Sequence, residues 1–295
     1  MRRLKGIVPV LVTPFNKDQT LDLDSLKKVI LYLVDKSPGG FWVLGTGGED
    51  MNLTFSERML VAETVSETIE GNYPVILGCS FYSKTETREF IKETRSFEFD
   101  AYHLMPYHTL LSMDRYIKMY KETADFSEKP LWLYTSANYC KHFPPEHIGE
   151  LVDHPNIQGI KYSTSNIVNM EKAISYNNDN FQVISAVVRQ FLASLAMGVE
   201  ATTTVEGCYY YDRIWPIYSS FINGDIHRAQ ENQRKLNRFM ENVSTGAGKD
   251  NFLKSAEGKY VLSKLNLCEK YMSGYYREVN KDEEKFIDAT LKKTF

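Results

Sequence analysis

Residues 130–163 read PLWLYTSANYCKHFPPEHIGELVDHPNIQGIKYS, and this stretch decides the fold. It holds two short apolar runs, PLWLYTS from Pro130 and IQGIKYS ending at Ser163, with a helix-start signal at Pro144-Pro145-Glu146 between them. Both runs are continuous, as expected where helices cover both faces of a parallel strand. Proline suits the first turn of a helix, where its missing N–H would have no partner anyway.

The same rhythm extends in both directions. Apolar runs begin at Gly6 (GIVPVLVTPF), Gly40 (GFWVLG), Tyr73 (YPVILGCS), Ala101 (AYHLMP), Phe181 (FQVISAVV) and Glu200 (EATTTVEG). Helical patterns lie between them, one from Asp24 to Ile30 and another from Thr54 to Thr68. With the first two, these runs recur about every 20–35 residues, the spacing of strands that alternate with helices. They predict a closed (β/α)8 TIM barrel in preference to an open doubly wound sheet. After Gly224 the runs stop, and Ile226, Ala229, Leu236, Met240 and Val243 form a helical stripe. A Ser-Thr-Gly-Ala-Gly break and further helical segments follow. The expected division is a barrel over 1–224 and a C-terminal helical region over 225–295.

Composition narrows the function classes. The chain has 295 residues and a formal charge of -3, so nothing pulls it globally toward nucleic acid or an anionic membrane. No apolar run approaches the roughly 18 residues of a membrane span. Cys79, Cys140, Cys208 and Cys268 are widely spaced, without a C-x-x-C pair, which argues against a disulfide or zinc framework. A reduced, cytoplasmic protein is expected. His142 and His147 are off the i, i+4 spacing of a helical ligand pair, so no metal is expected.

Catalysis in such a barrel sits at the C-terminal ends of the strands. Thr46-Gly47-Gly48-Glu49, Tyr107-His108, Tyr134 and Lys161 all fall there. Lys161 lies in an apolar strand, where desolvation lowers an amine's pKa and supplies the neutral nucleophile of a Schiff base. A strand-end lysine can also snorkel to solvent or pair with a carboxylate. Gly47 and Gly48 leave backbone N–H groups open to a carboxylate, and they also suit a tight turn. Glu49 reads as an anchor of that loop.

Thr13-Pro14-Phe15, Gly45-Thr46-Gly47-Gly48-Glu49, Leu53-x-x-Ser56-Glu57-Arg58, Tyr134 and Gly159-Ile160-Lys161 occur in one order. In order and spacing the chain resembles the dihydrodipicolinate synthase/N-acetylneuraminate lyase family, almost end to end. The resemblance implies a barrel with a helical tail, a homotetramer built as a dimer of dimers, and pyruvate bound as an imine on Lys161. It implies that Tyr134 shuttles protons, that Thr46 completes the relay, and that Ser163 and Thr203 contact substrate. No cofactor is implied.

Departures from the family pattern bear on the substrate. Gly47 stands where typical members have threonine. His108 stands for the second relay tyrosine, which reaches into the neighbouring subunit's site, and an interface or surface histidine is the other reading. Tyr139 occupies the place of a carboxylate-gripping arginine, whose bidentate fork a tyrosine does not supply. Ser185-Ala186-Val187-Val188-Arg189 lacks the acids that hold a sialic-acid tail, so Val188 and its neighbours predict a shorter or less hydroxylated substrate. Arg189 is either a ligand for a second negative charge or a helix-surface residue. Glu206 is placed to line the site or pair with Arg189. The expected activity is pyruvate-dependent cleavage or formation of a 2-keto-3-deoxy (sugar) acid, with a small aldehyde as the other partner. Dihydrodipicolinate synthase chemistry, an imine-dependent dehydratase and a non-catalytic keto-acid-binding protein are the alternatives.

Overall fold

A computed structural model describes residues 2–136, 140–141, 143–251 and 254–293. All eight apolar runs form parallel strands: β1 Gly6–Pro9, β2 Phe41–Val43, β3 Val75–Gly78, β4 Ala101–Leu104, β5 Leu131–Ser136, β6 Ile157–Ser163, β7 Gln182–Ser185 and β8 Ala201–Thr204. Their order is β1-β8-β7-β6-β5-β4-β3-β2. A parallel bridge between Val10 and Trp42, with Leu11 N–H donating to the Trp42 carbonyl at 3.0 Å, closes the barrel.

Helices α1 Leu23–Val34, α2 Phe55–Ile69, α3 Lys84–Thr94, α4 Met113–Phe126, α5 Ile167–Ile174, α6 Phe191–Ala196, α7 Glu206–Tyr209 and α8 Tyr211–Ile222 connect or follow the strands. The start of α2 is a capping box: the Thr54 hydroxyl accepts from Glu57 N–H, and the Glu57 carboxylate accepts from Thr54 N–H. Between β5 and β6, however, the expected helix is only a 3₁₀ turn, Pro145–Glu150. Pro155 soon follows and disfavours helical backbone at His154, so little chain remains for a longer helix.

The tail consists of α9 Ile226–Asn242, α10 Gly246–Asp250, α11 Ser255–Lys264 and α12 Lys281–Leu291. The Ser-Thr-Gly-Ala-Gly segment is therefore not a simple break, since α10 starts within it. Leu236, Met240, Val261 and Ile287 join the hydrophobic core that surrounds the barrel. Helix α11 sits so close to α7 that a Cβ on Gly258 would come within 2.1 Å of the Tyr209 ring. No described helix is long and apolar enough to cross a membrane.

Inside the barrel is a second, smaller core that includes Val8, Val10, Trp42, Trp132, Tyr134 and Ile184. His103 belongs to this layer, stacked on Trp42 at 4.3 Å with its Nε2 2.9 Å from the Val43 carbonyl. Burial drives its pKa down to about 3, so it is a neutral structural ring. The aromatic layer forms a floor beneath the C-terminal mouth of the barrel.

Candidate active site

Tyr134 and Lys161 face each other as Cα partners of β5 and β6. That pairing sets the Lys161 ammonium nitrogen 4.0 Å from the centre of the Tyr134 ring and 5.0 Å from that of Trp42. Lys161 is only 4 % exposed. Burial lowers its pKa to about 7, and the carboxylates of Glu206 and Asp50 pull in the other direction without prevailing. Near neutral pH a substantial fraction of this amine is therefore unprotonated.

The Tyr134 hydroxyl is hydrogen-bonded to the Thr46 hydroxyl at 3.0 Å. Thr46 opens the 3₁₀ turn Thr46–Gly48 directly after β2. A cavity of about 320 Å³ lies over these groups, walled by Thr46, Gly47, Tyr134, Lys161, Ser163 and Thr203 among others. The Thr203 hydroxyl is buried and has no hydrogen-bond partner among the described residues, which leaves it available to a ligand.

Gly47 is fixed by packing. A Cβ there would lie 2.7 Å from Cβ of Val205 and 3.2 Å from Cγ1 of Val10. Gly48 is fixed by backbone, because a Cβ would meet the Leu11 carbonyl oxygen at 2.7 Å. Gly48 lies behind the cavity wall, where its carbonyl accepts the Thr13 hydroxyl at 2.6 Å. Glu49 takes a left-handed conformation at φ 59° and anchors the turn to the tail. Its carboxylate pairs with Lys259 in a fully buried ion pair and accepts from Ser273 N–H and Oγ at 2.9 and 2.7 Å.

Val187, Val188, Arg189 and Glu206 also reach the cavity, supplied by the segments after β7 and β8. Arg189 pairs with Glu241 on α9 rather than with Glu206. Glu206 accepts a hydrogen bond from the Thr204 hydroxyl. His108 does not reach this cavity within one chain. Its ring Nε2 is 2.6 Å from the Tyr82 carbonyl oxygen, on the wall of a separate cavity of about 400 Å³ that also touches α3 and α4. Tyr139 and His142 lie outside the described residues, and His147 pairs with Glu150. Among the described residues no three His, Cys, Asp or Glu side chains converge on a metal position.

Two charged residues were missed by the sequence reading. Asp50 follows the glycine-rich turn, is fully buried, and accepts a hydrogen bond from the Tyr107 hydroxyl at 2.7 Å. Burial raises its pKa to about 6 against the opposing pull of Arg58 and that hydrogen bond. An acid directly after Gly-Gly-Glu was the available signal. Lys254, just before α11, also lines the cavity, and nothing in the local sequence marked it.

Comparison with known proteins agrees with the fold. The model of the dihydrodipicolinate synthetase family matches residues 3–291. A 4-hydroxy-tetrahydrodipicolinate synthase from Streptococcus pneumoniae is 27% identical over 78% of this chain and 75% of its own. The structure of dihydrodipicolinate synthase from Bacteroides thetaiotaomicron superposes with a TM-score of 0.91 at 24% identity, covering 99% of both chains. N-acetylneuraminate lyase from Mycoplasma synoviae gives 0.87 at 21% identity over 99% and 98% of the chains. The chain belongs to the dihydrodipicolinate synthetase family and is an aldolase-type lyase that acts on a carbon–carbon bond.

Proposed function

We propose that the protein condenses pyruvate with a small aldehyde, or releases pyruvate from a 2-keto-3-deoxy (sugar) acid, through a Schiff base on Lys161. The observation that carries this reading is a buried amine with a pKa near 7, set 4.0 Å from the Tyr134 ring. The neutral amine attacks C2 of pyruvate, and loss of water leaves an iminium. A methyl proton then passes to the phenolate left on Tyr134 after it protonates the departing hydroxyl, giving an enamine whose carbon bonds to the aldehyde carbon. Tyr134, its hydroxyl hydrogen-bonded to that of Thr46, hands protons to the departing hydroxyl and the new alkoxide. Hydrolysis of the iminium frees the product and Lys161.

Gly47 and the hydroxyls of Ser163 and Thr203 are assigned to the keto-acid half, with Gly48 acting as support for Gly47. Val188 and Tyr139 are assigned to the second substrate. His108 has a role in this scheme only across a chain interface, in the homotetramer expected of the family. Incubation with pyruvate and borohydride should add a pyruvyl group irreversibly to the protein, and Lys161→Ala should abolish the adduct. Absence of the adduct in the wild-type protein sinks the reading.

A second reading, dihydrodipicolinate synthase itself, is favoured by the name of the Streptococcus pneumoniae relative. Turnover of pyruvate with aspartate semialdehyde, ahead of other aldehydes, would establish it in place of the sugar-acid activity.

A further inference from the structure

The wall supplied by the segments after β7 and β8 and by the tail carries charges that the pyruvate chemistry leaves unused. They are Arg189, Glu206 and Lys254. Two of them already have partners. The Arg189 guanidinium is paired with Glu241, and the Glu206 carboxylate accepts from Thr204. The nearby buried carboxylate of Glu257 is turned to Thr245, accepting its N–H at 2.9 Å and its hydroxyl at 2.8 Å. Lys254 differs: its ammonium makes no hydrogen bond, ion pair or ring contact with any described residue. It is partly buried on the wall of a cavity.

An ammonium that lines a cavity and has no direct partner among the described residues is free to take up an anionic ligand. The cavity has room for such a ligand, since about 320 Å³ is more than pyruvate alone fills. Lys254 also reaches it from the tail, whereas the reactive groups belong to the barrel strands and the loop after β2. A molecule that touched both would extend from the imine to the tail.

We propose that Lys254 binds the far end of the second substrate, and that this end is an anion, a carboxylate or a phosphate monoester. Glu206, which faces Lys161 electrostatically, accepts a hydrogen bond from a hydroxyl nearer the reacting carbon. An anionic terminus fits Lys254, whose ammonium has no direct partner among the described residues, whereas Glu206 and Glu257 already accept hydrogen bonds from Thr204 and Thr245. The site thus selects an aldehyde with a charged tail, and the matching product is a 2-keto acid with an anion at each end. This rests on the aldolase reading above.

The test uses full-length protein converted with pyruvate and borohydride to the reduced pyruvyl form, which binds aldehydes but cannot condense them. Calorimetry then measures succinic semialdehyde against butanal, and glyceraldehyde 3-phosphate against glyceraldehyde. At least one anionic aldehyde should bind about tenfold more tightly than its neutral counterpart, with the preference weakening as salt rises. The stronger of the two anions identifies the terminus. Lys254→Met should erase the preference and Lys254→Arg should keep it. Equal binding of anionic and neutral aldehydes overturns the proposal, as does a preference that survives in Lys254→Met. Failure of the reduction step is a separate result, which removes the aldolase reading itself.

Discussion

The floor and the far wall of the cavity are built by different means. The floor places Lys161 and Tyr134 on paired strands over a layer of buried rings, so ladder hydrogen bonds and packing fix both side chains. The far wall takes Glu206 from a four-residue helix and Lys254 from the start of α11. Between the two lies the turn from Thr46 to Asp50, held from both sides. Thr13 of the barrel binds the Gly48 carbonyl, while Ser255 of the tail binds the Gly47 carbonyl at 3.0 Å and Lys259 pairs with Glu49. The contrast teaches that the position of the Lys161 amine is set by the strands. The position of Thr46, and with it the proposed proton relay, also depends on residues some two hundred positions later.

Substitutions on the two sides should separate these dependences. Lys161→Met should have the largest effect, lowering pyruvate methyl-proton exchange in deuterated water by roughly 10⁴-fold or more. It should also change stability with a definite pH signature. The folded-state pKa of about 7 lies below the ordinary value of 10.5, so between these values the unfolded chain binds more protons. Wild-type stability should therefore rise relative to Lys161→Met as pH goes from 7 to 9, measured by urea unfolding. A parallel course for the two proteins would show that the amine is not desolvated.

Tyr134→Phe should come next, with exchange reduced by roughly 10²–10⁴-fold while stability changes little. Near-normal exchange in that variant would remove the tyrosine from the relay. On the tail side, Lys259→Met leaves the buried Glu49 carboxylate without its cation. The expected cost is about 3–5 kcal/mol of unfolding free energy. Displacement of the turn should lower exchange by a smaller factor, roughly tenfold to a hundredfold. Adding Glu49→Gln should recover part of the stability. If Lys259→Met lost activity as completely as Lys161→Met, the separation of floor from anchor would fail.

The barrel was legible because strands covered on both faces are largely apolar, and most of the eight runs met that demand, β8 (Ala201–Thr204) being the exception with three threonines. Lys161 stood out for the same reason, as a charge in the apolar run IQGIKYS. The connection at Pro145–Glu150 was misread because the helix-start signal was present but the chain beyond it was too short. Gly47 was read as a departure from the threonine of typical family members. Its packing against Val205 and Val10, which leaves no room for a side chain there, comes from residues just past β8 and β1, distant in sequence. Asp50 and Lys254 escaped notice for a related reason. Lys254 breaks no local pattern, the acid after Gly-Gly-Glu was passed over, and only the closing of the barrel and the docking of the tail bring the two near Lys161.

The aromatic floor has a further use. Trp42 faces the nitrogen that would change from neutral amine to cationic iminium, and the indole is fully buried. A charge created at 5.0 Å from a ring face perturbs that ring's excited state, whereas Trp215 lies exposed on α8. Trp132 is buried in the same layer, edge-on to Trp42 at 6.3 Å, so the two indoles together form a built-in optical reporter of charge at Lys161.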